Sequence, residues 1–129
     1  MEFAHLLGRI LFGGYFVYNG LNHLVFGTEM LTGYASSKGV ESPRTMVYLS
    51  GVLLLLGGLS LLLGVWPNWG ILLLLVFLIT VSFAMHAFWK EAQEARAADM
   101  INFTKNMALV GALLMFYAIP RPWPLSIEG

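Results

Sequence analysis

The densest chemistry in the chain lies between Tyr15 and His23, where Tyr15, Asn19, Asn22 and His23 interrupt an otherwise apolar run. At about 100° per residue, Asn19, Asn22 and His23 share one sector of a helix, and Tyr15 lies over it one turn earlier. A helix in hydrocarbon gathers polar groups on one face only where that face looks at protein or water. Two further stretches match it: His86 at the end of a long apolar run, and Asn102, Lys105 and Asn106 at the start of the last one. Two histidines on neighbouring helices at matching depth suit axial ligation of haem iron. They equally suit hydrogen bonding to a quinone headgroup, with Asn or Lys as a second donor and a histidine relaying a proton. A metal site is not expected, since two histidines are too few and no carboxylate is expected beside them. The plainer alternative is that His23 and His86 bond only to asparagines or carbonyls and hold helices together.

The remaining composition says where such a face must sit. Of 129 residues, 58% are hydrophobic and 11% charged, with a mean hydropathy of +0.75. A soluble domain carries about 25% charged and about 45–50% apolar residues. One small membrane-embedded domain is the expectation. Net charge is zero, which removes the electrostatic case for nucleic acid. Cysteine is absent, so thiol chemistry and disulfides are excluded. The first apolar run lacks a basic leader and a small-residue cleavage site, so it is expected to be retained as a membrane span.

Four spans position the polar residues, at about residues 3–24, 44–65, 70–89 and 101–119. Residues from about 29 to 37 between the first two read as a short interfacial helix, with Thr28 as N-cap and Gly39 near its end. Ser42–Pro43 reads as an N-cap followed by proline at the first helical position. Trp66–Pro67–Asn68–Trp69 reads as a tight interfacial turn between the second and third spans. The alanine-rich charged segment 90–99 is expected to prolong the third helix out of the membrane, supported by a Lys90/Glu94 pair. Gly8, Gly13, Gly14 and Gly20 mark close helix approach, and the glycine-rich second span would also permit a homodimer. Arg9 is expected either to reach the near interface alongside His5 or to face a carboxylate or an anionic headgroup. Lys105 either reaches the interface or offers a cation to a ligand beside His86. This topology gathers Asn19, Asn22, His23, Ser82, His86, Asn102, Lys105 and Asn106 near one interface. More Lys and Arg lie on that side, which places it in the cytoplasm.

Several of these pieces together resemble the DoxX family of small four-helix bacterial membrane proteins. They are Gly8–Arg9 with Leu11–Phe12, Asn19–Gly–Leu–Asn–His23, and Tyr34–Ala–Ser–Ser–Lys38–Gly39–Val40 with Pro43. Further on come Gly57–Gly58, His86–Ala–Phe–Trp89, and Phe103–Thr–Lys105–Asn106 with Gly111. The resemblance covers nearly the whole chain in order. It implies kinship with the small membrane subunit of an archaeal thiosulfate:quinone oxidoreductase, partners among sulfurtransferase or superoxide-detoxifying proteins, and, more distantly, assembly factors or cargo receptors. By position, Arg9, Asn19, His23, His86, Lys105 and Asn106 are the polar residues of the family pattern.

The expectation is an all-α integral membrane four-helix bundle with a short interfacial segment between helices one and two, multi-pass in the bacterial inner membrane. Its leading function is a quinone-interacting membrane subunit of a redox system, with His23, His86, Asn19, Asn22, Lys105 and Asn106 around the cofactor and no catalytic residue of its own. These 129 residues include no soluble domain able to hold a flavin or a sulfur substrate, so oxidoreductase activity is expected to need a protein partner. The alternatives are a non-catalytic scaffold or assembly subunit, and a bis-histidine haem protein.

Overall fold

Prolines and left-handed residues punctuate the chain where helices must reverse. The computed structural model describes residues 1–127, and among them every regular element is helical. Five α-helices follow one another: α1 (Glu2–Leu21), α2 (Thr28–Ser37), α3 (Pro43–Leu63), α4 (Pro67–Met85) and α5 (Gln93–Tyr117). A π-helical turn, Asn22–Phe26, continues α1, and a 3₁₀ turn, Phe88–Lys90, separates α4 from α5. Proline opens both α3 and α4, where its missing N–H costs nothing. Ser42 occupies the cap position of α3, but with φ +48° and no side-chain cap bond. Gly27, not Thr28, caps α2. α3 ends on Gly64 at φ +72°, which lets the Val65 N–H turn back to the Ser60 carbonyl at 3.0 Å.

Three segments, α3, α5 and α4 with its following turn, are long and apolar enough to cross a membrane. Leu56, Leu72, Val76, Ile79 and Leu114 stand exposed on them. Water penalises such a surface and lipid does not.

α3 is the central element, packed by α1, α2 and α4. Its seam with α1 brings backbone against backbone. A Cβ on Gly13 would sit 2.9 Å from the Gly58 carbonyl oxygen, and one on Gly20 would sit 2.7 Å from the Leu55 nitrogen. Gly8 and Gly14 have nothing within 4 Å of a Cβ position, so only half of the expected glycines serve this contact. Gly51 and Gly57 are covered by Leu24 and Leu74. These glycines of α3 thus pack against neighbours within the chain. Phe16, Leu54, Leu61, Leu74, Leu78 and Leu113 form the core. The helices run in an arc, α1 on α3, α3 on α4 and α4 on α5, while α1 meets α5 through the Phe12 and Phe116 rings, 4.9 Å apart.

Segment 90–99 corrects the sequence reading. α4 ends at Met85, and residues from Gln93 onward already belong to α5, so Lys90 and Glu94 share no helix. No glycine or proline lies between Gly70 and Gly111 to signal this break. The His86 N–H still makes the helical bond to Ser82 at 3.1 Å, and the break follows where the His86 ring turns to a carboxylate of α5.

Arg9 is corrected as well. It is 5% exposed and, among the described residues, meets no carboxylate. It donates to the carbonyls of Leu61 (3.2 Å), Leu62 (3.2 Å), Leu125 (3.1 Å) and Pro124. The last turn of α3 leaves such carbonyls unpaired and partly negative. One guanidinium thereby caps α3 and fastens the C-terminal strap, where Trp123 is buried against the core.

Candidate functional site

At the opposite end, the last turns of α1 and α4 and the first half of α5 meet across a cavity of about 460 Å³. Tyr15, Asn19 and His23 line it, spaced four residues apart along α1 and its π turn. The polar groups of that helix are partly spent on its own backbone. The Asn19 amide donates to the Tyr15 carbonyl at 2.8 Å, and His23 Nδ1 donates to the Asn19 carbonyl at 2.8 Å. The π turn adds one residue to the helix, and Thr28 Oγ1 closes it by donating to the His23 carbonyl at 2.6 Å. Such turns are rare and concentrate at functional sites.

The structure brings Asn19, His23, His86, Lys105 and Asn106 to this one cavity. Asn22 is not with them; its side chain lies against Gly27. Asn102 donates to the Ala98 carbonyl of its own helix at 3.1 Å, and Ser82 likewise to Leu78 at 2.6 Å. The rest of the wall is apolar, including Phe16, Leu54, Val76, Phe77, Leu78 and Leu109. Asn106 is only 6% exposed, yet its amide makes no hydrogen bond among the described residues. Lys105 is exposed at the cavity edge, also with no ion pair among them.

Behind His86 stands a charge cluster that sequence reasoning missed. His86 Nδ1 lies 3.1 Å from Asp99 Oδ1, and Lys38 Nζ reaches Asp99 Oδ2 at 2.6 Å and Glu91 Oε1 at 3.0 Å. Asp99 is 4% exposed. A carboxylate therefore does stand beside one histidine, contrary to expectation. Among the described residues, however, no group of three potential ligands could hold a metal ion. Lys38 also lies 5.8 Å from the centroid of the Tyr34 ring, which lines the cavity. Burial pulls the Lys38 ammonium down, but its hydrogen bonds to Asp99 and Glu91 outweigh this and hold it above the ordinary lysine range. Burial pushes the Tyr34 hydroxyl up, against the pull of Lys38. The available signal for Asp99 was its spacing: seven residues before Asn106, it shares that face of α5. Assigning 90–99 to the preceding helix hid it.

Comparison with known proteins agrees with this architecture. The DoxX family model matches residues 4–87, a span that includes Arg9, Asn19, His23, Lys38 and His86. The chain is 24% identical over 111 residues to the inner membrane protein YphA of Escherichia coli (strain K12), covering 81% of this chain and 79% of that protein. No solved structure matches it. With its three membrane-length apolar segments, the chain is a multi-pass inner membrane protein. On the family match over most of its length, the chain belongs to the DoxX family.

Proposed function

We propose that this protein is a four-span membrane bundle, with α1, α3, α4 and α5 crossing the bilayer, and that its cavity binds a quinone as the membrane subunit of a redox system. The observation that carries the reading is the convergence of Asn106 with other polar side chains on one otherwise largely apolar cavity. The Asn106 amide makes no hydrogen bond among the described residues and is free to meet a ligand headgroup. His23, His86 and Lys105 stand around the same space, and Asn19 offers its side-chain oxygen; Asn22 has no part in it. The cavity falls within the range of about 300–1,000 Å³ seen for small-molecule sites, mostly apolar with a few convergent polar groups. A quinone, with a polar ring and an apolar tail, matches that division.

The test is solvent extraction of protein purified in mild detergent, together with oxidised and reduced absorption spectra. Stoichiometric quinone is the expected result, and it is lost in Asn106→Leu while the protein stays folded, because an apolar residue of similar size removes a cavity donor and keeps the packing. A Soret band that shifts on reduction would replace the quinone with haem on His23 and His86. Preparations without either would make the protein a scaffold whose polar cluster serves packing.

A further inference from the structure

Hydrogen-bond partners behind the two cavity histidines determine what each ring can offer to a ligand. The Asn19 carbonyl can only accept, so His23 Nδ1, 2.8 Å away, carries the hydrogen. Asp99 is held as a carboxylate by the Lys38 ammonium at 2.6 Å, so His86 Nδ1, 3.1 Å from its other oxygen, carries the hydrogen there too. In a neutral imidazole only one nitrogen is protonated. Nε2 of each ring is then a bare acceptor. Neither Nε2 has a hydrogen-bond partner among the described residues, and both rings line the cavity.

Two acceptors ask for a ligand with two donors. Resting on the quinone reading above, we infer that the cavity is built for the reduced form: a quinol, whose hydroxyl groups donate to His23 and His86, and not the oxidised quinone, whose carbonyls can only accept. Asp99 is then a positioning residue that keeps His86 in the accepting tautomer, and Lys38 anchors Asp99. The Asn106 amide and Lys105 remain as donors to the quinol oxygens' lone pairs or to ring substituents.

The prediction is tested on the full chain in detergent at pH 8. The probes are decylubiquinol, decylubiquinone and the dimethyl ether of the quinol, each titrated by tryptophan fluorescence. Quinol is expected to bind at least about tenfold more tightly than the quinone or the ether, which leave the bare nitrogens unpaired. In Asp99→Asn, the amide oxygen stays on Lys38 and the amide hydrogens turn to His86 Nδ1. This moves the His86 hydrogen to Nε2, so the quinol preference falls to what His23 alone supports. Nitrogen-15 spectra of histidine-labelled protein read the tautomers directly and need no variant that might fail to fold. Both cavity rings should show Nδ1–H in the native protein. Equal affinity for quinol and quinone, or an Nε2–H tautomer at His23 or His86, would overturn the inference and leave the quinone site standing. Failure of all three probes to bind would instead remove the site and the inference with it.

Discussion

Lys38 lies between two carboxylates, and the more buried of them, Asp99, depends on it. Lys38→Met strands an uncompensated buried charge, a change that costs on the order of 3–5 kcal/mol. Adding Asp99→Leu should recover most of that loss, because it removes the stranded charge; thermal denaturation of both variants in detergent checks this. The pH dependence follows from the raised Lys38 value. A group whose folded pKa lies above its unfolded one, about 10.4 for lysine, stabilises fully below the unfolded value and loses this as pH rises through the folded one. The stability gap between native protein and Lys38→Met should therefore hold level from about pH 7 to 10 and shrink above that. A gap that shrinks between pH 7 and 9 would mean that the ion pairs are not formed in solution.

At the scale of elements, the seam between α1 and α3 depends on the absence of side chains. A Cβ on Gly58 would fall 2.7 Å from the Val17 nitrogen, and a backbone atom cannot swing aside as a side chain can. Gly58→Val should therefore force the helices apart and cost about 2–3 kcal/mol or more, read as a large drop in melting temperature. Gly14→Ala, one position beyond Gly13 with open space around it, should be neutral or gain up to about 1 kcal/mol from helix propensity. Equal effects at the two positions would show that helix propensity, not the seam, controls them. Glycine spacing in the sequence pointed to α1 as a packed helix, but it could not separate Gly13 and Gly20 from Gly8 and Gly14. All four are glycines in one helix, and only the rotation of α1 against α3 decides which of them face it.

The molecule as a whole has two dissimilar ends. One is closed by Arg9 and the strap around Trp123, with the Ile127 N–H bonded to the Leu63 carbonyl at 3.0 Å. The other opens into the cavity and is held by ion pairs among α2, the turn after α4, and α5. Glu29 and Arg44 add a further pair between the starts of α2 and α3, and that hydrogen-bonded guanidinium holds the exposed Glu29 carboxyl below its ordinary range. Arg9→Met should free the strap and leave four carbonyls without their donor. Hydrogen bonds from a charged group contribute about 1.5–3 kcal/mol each at most, so a loss of about 3 kcal/mol or more is expected. Trp123 should become accessible to aqueous quenchers in the same variant. Arg9→Lys should restore only part of the stability, since one ammonium cannot span the strap and α3 together.

Composition and periodicity alone determined that this is a helical membrane protein with apolar segments long enough to cross a bilayer. These are local properties: a run of apolar residues long enough for a bilayer, and side chains that return to the same face every turn. Proline at the start of α3 was legible for the same reason. Tertiary structure alone decided where α4 stops, because no glycine or proline between Gly70 and Gly111 signals an end and the break falls where the His86 ring turns to Asp99. It also decided the partners of Arg9 and Lys38. A charge in an apolar chain announces that it needs a partner, but which partner depends on groups 50 to 120 residues away that only the folded chain brings within reach.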